Sequence, residues 1–178
     1  MQTKSDQRYP EPTVGALILN GRGEMLLVKS VKWGNRFTVA GGHVEVGETL
    51  RAALKREIKE EVGLEIKDIR LLMVQEAIFT KAFFRRRHFI FFDYVCNAAN
   101  DRPKVDGVEI QSYRWVRPAK AMDLRLEKFT RRMVRKYLAE LGPTEPKKPL
   151  PLDETWKRDR RLPRRVQQQQ PGGTRPRK

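Results

Sequence analysis

The sequence predicts an α/β fold. Runs of branched and aromatic residues recur from residue 13 to residue 116, two stretches carry helical spacing or helix-forming composition, and glycine or proline marks the junctions. Residues 13–19 and 24–28 are strand-like and flank Asn20-Gly21-Arg22-Gly23, a turn that tolerates positive φ, so they read as a hairpin. After Trp33-Gly34-Asn35, residues 37–40 read as a short strand that stops at Gly41-Gly42, where the chain is expected to enter a loop. A helix is expected over 50–61, because Thr49 offers an N-cap, the run consists of good helix formers, and Gly63 stands where a C-terminal cap belongs. Residues 64–79, 87–97 and 109–116 read as further strands. Pro118 can open a short helical turn, and Leu126, Phe129, Met133, Tyr137 and Leu141, three and four apart, predict a last helix that Gly142-Pro143 ends.

Composition bounds what such a chain can do. Its 178 residues, 39% of them hydrophobic, suit one domain with extra sequence at the ends. Cys96 is the sole cysteine, so no intrachain disulfide forms and a reducing, cytoplasmic compartment is expected. With His43 and His88 the only histidines, a Cys/His zinc site cannot be assembled, and any metal must sit on oxygen. The first residues are polar with no secretory pattern, and the most apolar runs fall far short of the roughly 20 residues that span a bilayer, so no membrane partner is expected. Net charge is +16. Residues 143–178 hold 11 Lys or Arg against 4 Asp or Glu, together with seven of the eleven prolines, a composition that cannot bury enough apolar surface to fold alone. The expected organisation is an N-terminal extension over 1–11, a domain over 12–142 and a mostly disordered basic, Pro-rich tail over 143–178.

The chemistry concentrates on the helix. At 100° per residue Leu50, Leu54, Ile58 and Val62 share one side, Glu57 and Glu61 fall within about 20° of Leu50, and Glu60 lies beside Ala53. Three carboxylates therefore run along the edge of the buried stripe, where they repel one another and where burial of even one unpaired charge costs several kcal/mol. Arg56 offers one compensating charge. A hard divalent cation offers two and takes carboxylate oxygens, as Mg²⁺ does when it also holds substrate phosphates. Just before the helix, Gly41-Gly42-His43-Val44-Glu45-Val46-Gly47-Glu48 adds backbone freedom and two more carboxylates.

Read in order, Gly42, five residues, Glu48, seven residues, Arg56-Glu57-Ile58, one residue, Glu60-Glu61, one residue and Gly63-Leu64 resemble a complete Nudix box. The similarity extends over roughly residues 12–141 and implies an α/β/α sandwich around a mixed sheet. It also implies the reaction: hydrolysis of a nucleoside diphosphate linked to another group, with Mg²⁺ or in its place Mn²⁺. By motif position the metal would be held by Gly42, through its backbone carbonyl, and by Glu57, Glu60 and Glu61. Glu57, Glu60, Arg56 and Glu109 are the residues expected to carry the reaction, Arg56 by orienting the helix carboxylates and Glu57 as first choice of base. Glu109 occupies a place where many members carry an additional glutamate. Ala40 departs from the Pro that many members have before the paired glycines.

Weaker signals surround the box. Trp33 and Arg36 could meet a base or a phosphate, His43 adjoins the glycine loop, and Arg85 and Arg87 belong to an aromatic-basic run, Phe83 to Arg87, that could stack bases and neutralise phosphates. Each has an ordinary alternative as a packing or solvated residue. The expected substrate is a small nucleotide such as a nucleoside triphosphate, ADP-ribose or a dinucleotide. One rival reading is an enzyme of RNA 5′ ends, gripped through the basic tail, and another is an inactive nucleotide- or RNA-binding module. A homodimer is compatible with the sequence.

Overall fold

The computed structural model describes residues 7–30, 33–34, 36–80, 86–105, 107 and 109–142. Among the described residues seven strands form one sheet, β1 (Glu11–Leu19), β2 (Met25–Ser30), β3 (Phe37–Thr38), β4 (Ala40–His43), β5 (Ile66–Ile78), β6 (His88–Ala98) and β7 (Ile110–Val116). Three helices accompany them, α1 (Leu50–Val62), α2 (Pro118–Ala121) and α3 (Lys128–Leu141). The sheet is mixed: β1 runs parallel to β6, from Glu11 opposite Phe89 to Leu19 opposite Asn97, while every other pairing is antiparallel. The expected elements are all present. Among the described residues no helix is long and apolar enough to cross a membrane. The expected tail over 143–178 lies outside the described residues.

Side-chain alternation along the strands builds two cores, one on each face. Val14, Ala16 and Ile18 of β1 and Leu26 and Val28 of β2 pack with Leu54, Ile58 and Val62 of α1. Their alternates Leu17, Met25 and Leu27 pack with Met133 and Val134 of α3. The outcome is the helix–sheet–helix sandwich that the sequence led us to expect. Strand β5 changes allegiance along its length, Ile66 and Ile69 facing α1 but Leu72 facing α3. The register shifts between Lys67 and Arg70 and between Leu71 and Met73 account for this, and Asp68 sits there with φ 54°.

Helix α1 is capped as its sequence predicts. The Ala52 N–H donates to the Thr49 hydroxyl at 3.2 Å, and Gly63, at φ 66°, sends its N–H to the Lys59 carbonyl. One expectation needs correction. The chain does not leave the sheet at Gly41-Gly42; β4 runs through both, pairing Ala40 with Ala16, Gly41 with Gly15 and Gly42 with Val14. A Cβ at Gly41, whose φ is 151°, would strike the Val14 carbonyl, so the glycines permit close strand approach rather than ending the strand. Helix α3 likewise starts at Lys128, with Leu126 buried just ahead of it.

Leu54 is fully buried beneath the sheet. Leu54→Ala is expected to cost about 2–5 kcal/mol through lost burial and a cavity, read as a lowered midpoint in urea denaturation with the slope unchanged.

Candidate active site

Packing α1 against β4 brings the acidic edge onto the glycines. The Gly41 N–H donates to Glu61 Oε2 at 2.8 Å, and a Cβ on Gly42 would run into the Glu57 carboxylate. Arg56 ties the remaining acids together. Its Nε and Nη2 donate to the two oxygens of Glu48 at 2.8 and 2.9 Å, a bidentate fork. Its Nη1 donates to Glu57 Oε1 at 2.8 Å and to Glu60 Oε2 at 3.2 Å, and Nη2 also reaches the His43 carbonyl at 3.0 Å. The hydrogen bond from Arg56 holds the Glu48 carboxyl below the ordinary range, and Glu48 first, then Glu57, hold the guanidinium above its own. One guanidinium thus meets three carboxylates, Glu48, Glu57 and Glu60, and the hard oxygen donors of Glu57, Glu60, Glu61 and the Gly42 carbonyl suit a divalent ion. Among the described residues no three acidic, His or Cys side chains already converge as a cage, Glu57 and Glu60 being turned to Arg56 instead.

A cavity of about 880 Å³ opens beside this edge. Of the residues singled out in the sequence, Gly42, Glu57 and Glu61 line it together with His43, Trp33, Arg87 and Glu109. Strand β7 begins immediately after Glu109 and β2 pairs with β7, which is how a residue 52 positions beyond Glu57 comes to share its cavity. Glu60, its side chain 60% exposed, and Arg56 stand outside the lining, as does the exposed Arg36. Arg85 lies outside the described residues.

Other lining residues had not been singled out. Glu11 bridges two that had, taking a hydrogen bond from Arg87 Nη1 at 2.6 Å on Oε1 and meeting His43 Nε2 at 3.0 Å on Oε2. Two pairings of β1 put Glu11 there, the parallel one with β6, which sets it opposite Phe89, and the antiparallel one with β4, which brings His43 alongside. Deeper in, Asp93 and Glu127 line the cavity although they are 5% and 2% exposed. Asp93 Oδ2 accepts from Gln75 Nε2 at 2.6 Å, and the same nitrogen donates to the Phe129 carbonyl at 3.1 Å. Glu127 caps α3, its Oε2 accepting from the N–H groups of Phe129 and Thr130 at 2.6 and 3.2 Å. A signal for Asp93 existed: a charge inside the apolar run from Phe89 to Val95 is an anomaly for a buried strand.

Comparison with known proteins agrees with this geometry. A family model described as the NUDIX domain matches residues 9–137. The nucleoside triphosphatase NudI of Escherichia coli (strain K12) is 30% identical over 133 residues, 69% of this chain and 94% of that protein. The NAD-capped RNA hydrolase NudC of Mycobacterium tuberculosis is 34% identical over 73 residues, 40% of this chain, and the chain spans only 23% of that relative's length. The crystal structure of the MutT NUDIX hydrolase from Burkholderia pseudomallei superposes with a TM-score of 0.62 at 25% identity, covering 72% of this chain and 98% of that one. Sandwich, acidic helix edge and cleft together define an enzyme of the hydrolase class. The chain belongs to the Nudix family.

Burial raises the Asp93 carboxyl from 3.8 to about 6, the Gln75 hydrogen bond opposing the rise and the charge of Glu127 adding to it. The folded chain therefore binds this proton more tightly than the unfolded chain does. Its stabilising contribution is complete below pH 3.8 and is lost as pH rises through about 6, a negative slope of stability against pH in that window. Asp93→Asn is expected to remove that slope, of roughly 3 kcal/mol in total, in urea denaturation at stepped pH.

Proposed function

We propose that the protein is a metal-dependent pyrophosphohydrolase that cleaves a nucleoside diphosphate linked to another group, in a small nucleotide of the nucleoside triphosphate, ADP-ribose or dinucleotide type. The observation that carries this reading is the meeting of Glu57, Glu61 and the Gly41-Gly42 backbone at one nucleotide-sized cavity. Glu57, Glu60 and Glu61, with the carbonyl of Gly42, would hold Mg²⁺, or Mn²⁺ in its place. When bound, such an ion neutralises phosphate oxygens and lowers the pKa of an attacking water.

The chain's own residues do the rest. Arg56, with its fork on Glu48 and its contacts to Glu57 and Glu60, fixes where the helix carboxylates point, and so acts as a positioning residue. Gly42 leaves the space that the Glu57 carboxylate uses, so any side chain there would displace it. Glu57 and Glu109 both line the cavity and are the two candidates to accept the proton of the water. Arg87 and His43, held by Glu11, offer positive and hydrogen-bonding groups to phosphate oxygens, and Trp33 offers a face to a base. The lone cysteine, Cys96, is buried and its thiol is pushed up to about 12 by that burial, so it takes no part and suits a cytoplasmic protein.

A second reading, hydrolysis at RNA 5′ ends, is favoured by the likeness to the NAD-capped RNA hydrolase over 73 residues and by the net charge of +16. The unbroken set of Glu57, Glu60 and Glu61 speaks against an inactive binding module.

A panel of nucleotides and capped RNA assayed with Mg²⁺ tests these readings. Glu60→Gln is expected to lose at least ~100-fold in kcat with the fold intact, and chelation is expected to abolish turnover reversibly. Near-normal hydrolysis by Glu60→Gln would count decisively against the assignment. Gly42→Ala is expected to lose a similar factor in kcat, because its methyl group displaces Glu57.

A further inference from the structure

Strand β5 closes one end of the sheet: in the order β3-β2-β1-β6-β5 it has β6 on one side and, among the described residues, no strand on the other. From Met73 to Ile78 it pairs with β6 residue for residue, Met73 with Asp93 and on to Ile78 with His88. Such an edge offers a row of N–H and C=O groups to another strand, and proteins ordinarily blunt it with bulges or charges. Both register shifts of β5 fall before or at Met73, and Glu76 is the only charge in the regular half. That half also carries apolar side chains on an open face. Val74 and Ile78 lie opposite Phe92 and His88, and Leu71 opposite Tyr94, which alternation along β6 puts on the side where α1 packs. Helix α1 packs over Ile66 and Ile69 at the start of β5, and leaves Leu71, Val74 and Ile78 48%, 48% and 57% exposed.

A second copy of the chain is a weak occupant for this edge. Side chains of this size expose roughly 150–200 Å² in full, so three at about half exposure leave on the order of 250 Å² of apolar surface, or about 500 Å² for two copies. A stable interface buries at least about 1,200 Å², of which somewhat more than half, about 700 Å², is apolar. A segment of the same chain needs less, because its tether holds it at roughly millimolar effective concentration. Such a segment starts close by. Helix α3 runs antiparallel to β5, Lys128 donating to Thr80 Oγ1 at 2.7 Å near one end and Glu140 pairing with Arg70 at 2.9 Å near the other. The chain beyond Gly142 therefore sets out beside the first half of β5. From Glu140 to Leu150 it can reach up to about 33 Å, enough to pass round the edge from the α3 face to the α1 face.

The sequence Pro149-Leu150-Pro151-Leu152-Asp153-Glu154-Thr155-Trp156 has the alternation that such an edge selects. At a period of two, Leu150, Leu152 and Trp156 share one face with Glu154, while the prolines, Asp153 and Thr155 share the other. Backbone N–H groups alternate likewise. Those of Leu150, Leu152, Glu154 and Trp156 point to one side, and both prolines fall where an edge strand needs no donor.

We propose that residues 149–156 add to the free edge of β5 as a further strand, laying Leu150, Leu152 and Trp156 beside Leu71, Val74 and Ile78. Main-chain hydrogen bonds to a preformed edge supply what this Pro-rich segment lacks when it is alone. Because the chain leaves α3 near Arg70, the added strand runs parallel to β5 and ends near Ile78. Ile78 pairs with His88, whose neighbour Arg87 lines the cavity, so Lys157, Arg158, Arg160 and Arg161 follow at the cavity mouth.

The test is amide hydrogen exchange, followed by NMR on the isotopically labelled full-length protein and corrected for the intrinsic rate of each residue. The N–H groups of Leu150, Leu152, Glu154 and Trp156 are expected to exchange at least ~10-fold more slowly than those of Asp153 and Thr155, an alternation that neither a free chain nor a helix produces. Val74→Asp, which sets a charge on the open face, is expected to abolish the difference while the amides of α1 keep their protection. Leu152→Ser combined with Trp156→Ser is expected to do the same without touching the domain, so a Val74→Asp chain that fails to fold leaves the test standing. On about tenfold dilution the alternation is expected to persist, as an intramolecular contact requires. Uniformly fast exchange over 150–156, alternation that survives the tail variant, or alternation lost on dilution, the mark of a second copy, would overturn the proposal.

Discussion

The guanidinium of Arg56 is the contact around which the site is organised. Helix α1 must bury Leu54, Ile58 and Val62 against the sheet, and doing so carries Glu57 and Glu61 toward β4. Without a local positive charge the acidic edge would push the helix outward, because like charges at this spacing repel and partial burial strengthens them. Arg56 meets Glu48, Glu57 and Glu60 at once, and through the His43 carbonyl it also fastens the loop that leads into the helix. The glycines complete the arrangement by letting backbone stand where side chains would collide. Packing of the core and placement of the carboxylates are therefore one problem with one solution.

Much of this was legible in the sequence, and for physical reasons. Thr49, Gly63 and the spacing of the apolar residues define α1 locally, since caps and periodicity act over a few residues. The box residues followed, because they lie on that one helix and its entry loop. Local signals also misled at one place: Gly41-Gly42 resembles a strand terminator, but β1 supplies a partner that turns the same glycines into close-packed strand positions. Nothing near residue 41 could announce a partner that begins at Glu11.

What stayed hidden depends on long-range pairing. Glu11 reaches Arg87 because β1 lies beside β6 and His43 because β1 also pairs with β4, and Glu127 reaches the cavity only because α3 crosses the face opposite α1. Glu127 also illustrates a limit of cap statistics. Glutamate is not among the usual N-cap residues, yet here its long side chain folds back to take two N–H groups while buried. Asp93 was the more readable of the pair, since a carboxylate amid phenylalanines demands a reason.

The parallel ladder between β1 and β6 joins segments some 78 positions apart in the chain, Glu11 with Phe89 and so on to Leu19 with Asn97. Helix α1 and the β5–β6 hairpin form from neighbours in sequence, whereas this ladder must first close a long loop of chain against its entropy. The cleft is walled by both of its strands, so it is completed late on the folding route. A newly made chain in which that step is delayed would hold its acidic helix and its hairpin but no enclosed place for a ligand, and any molecule that binds there would draw the folding equilibrium forward.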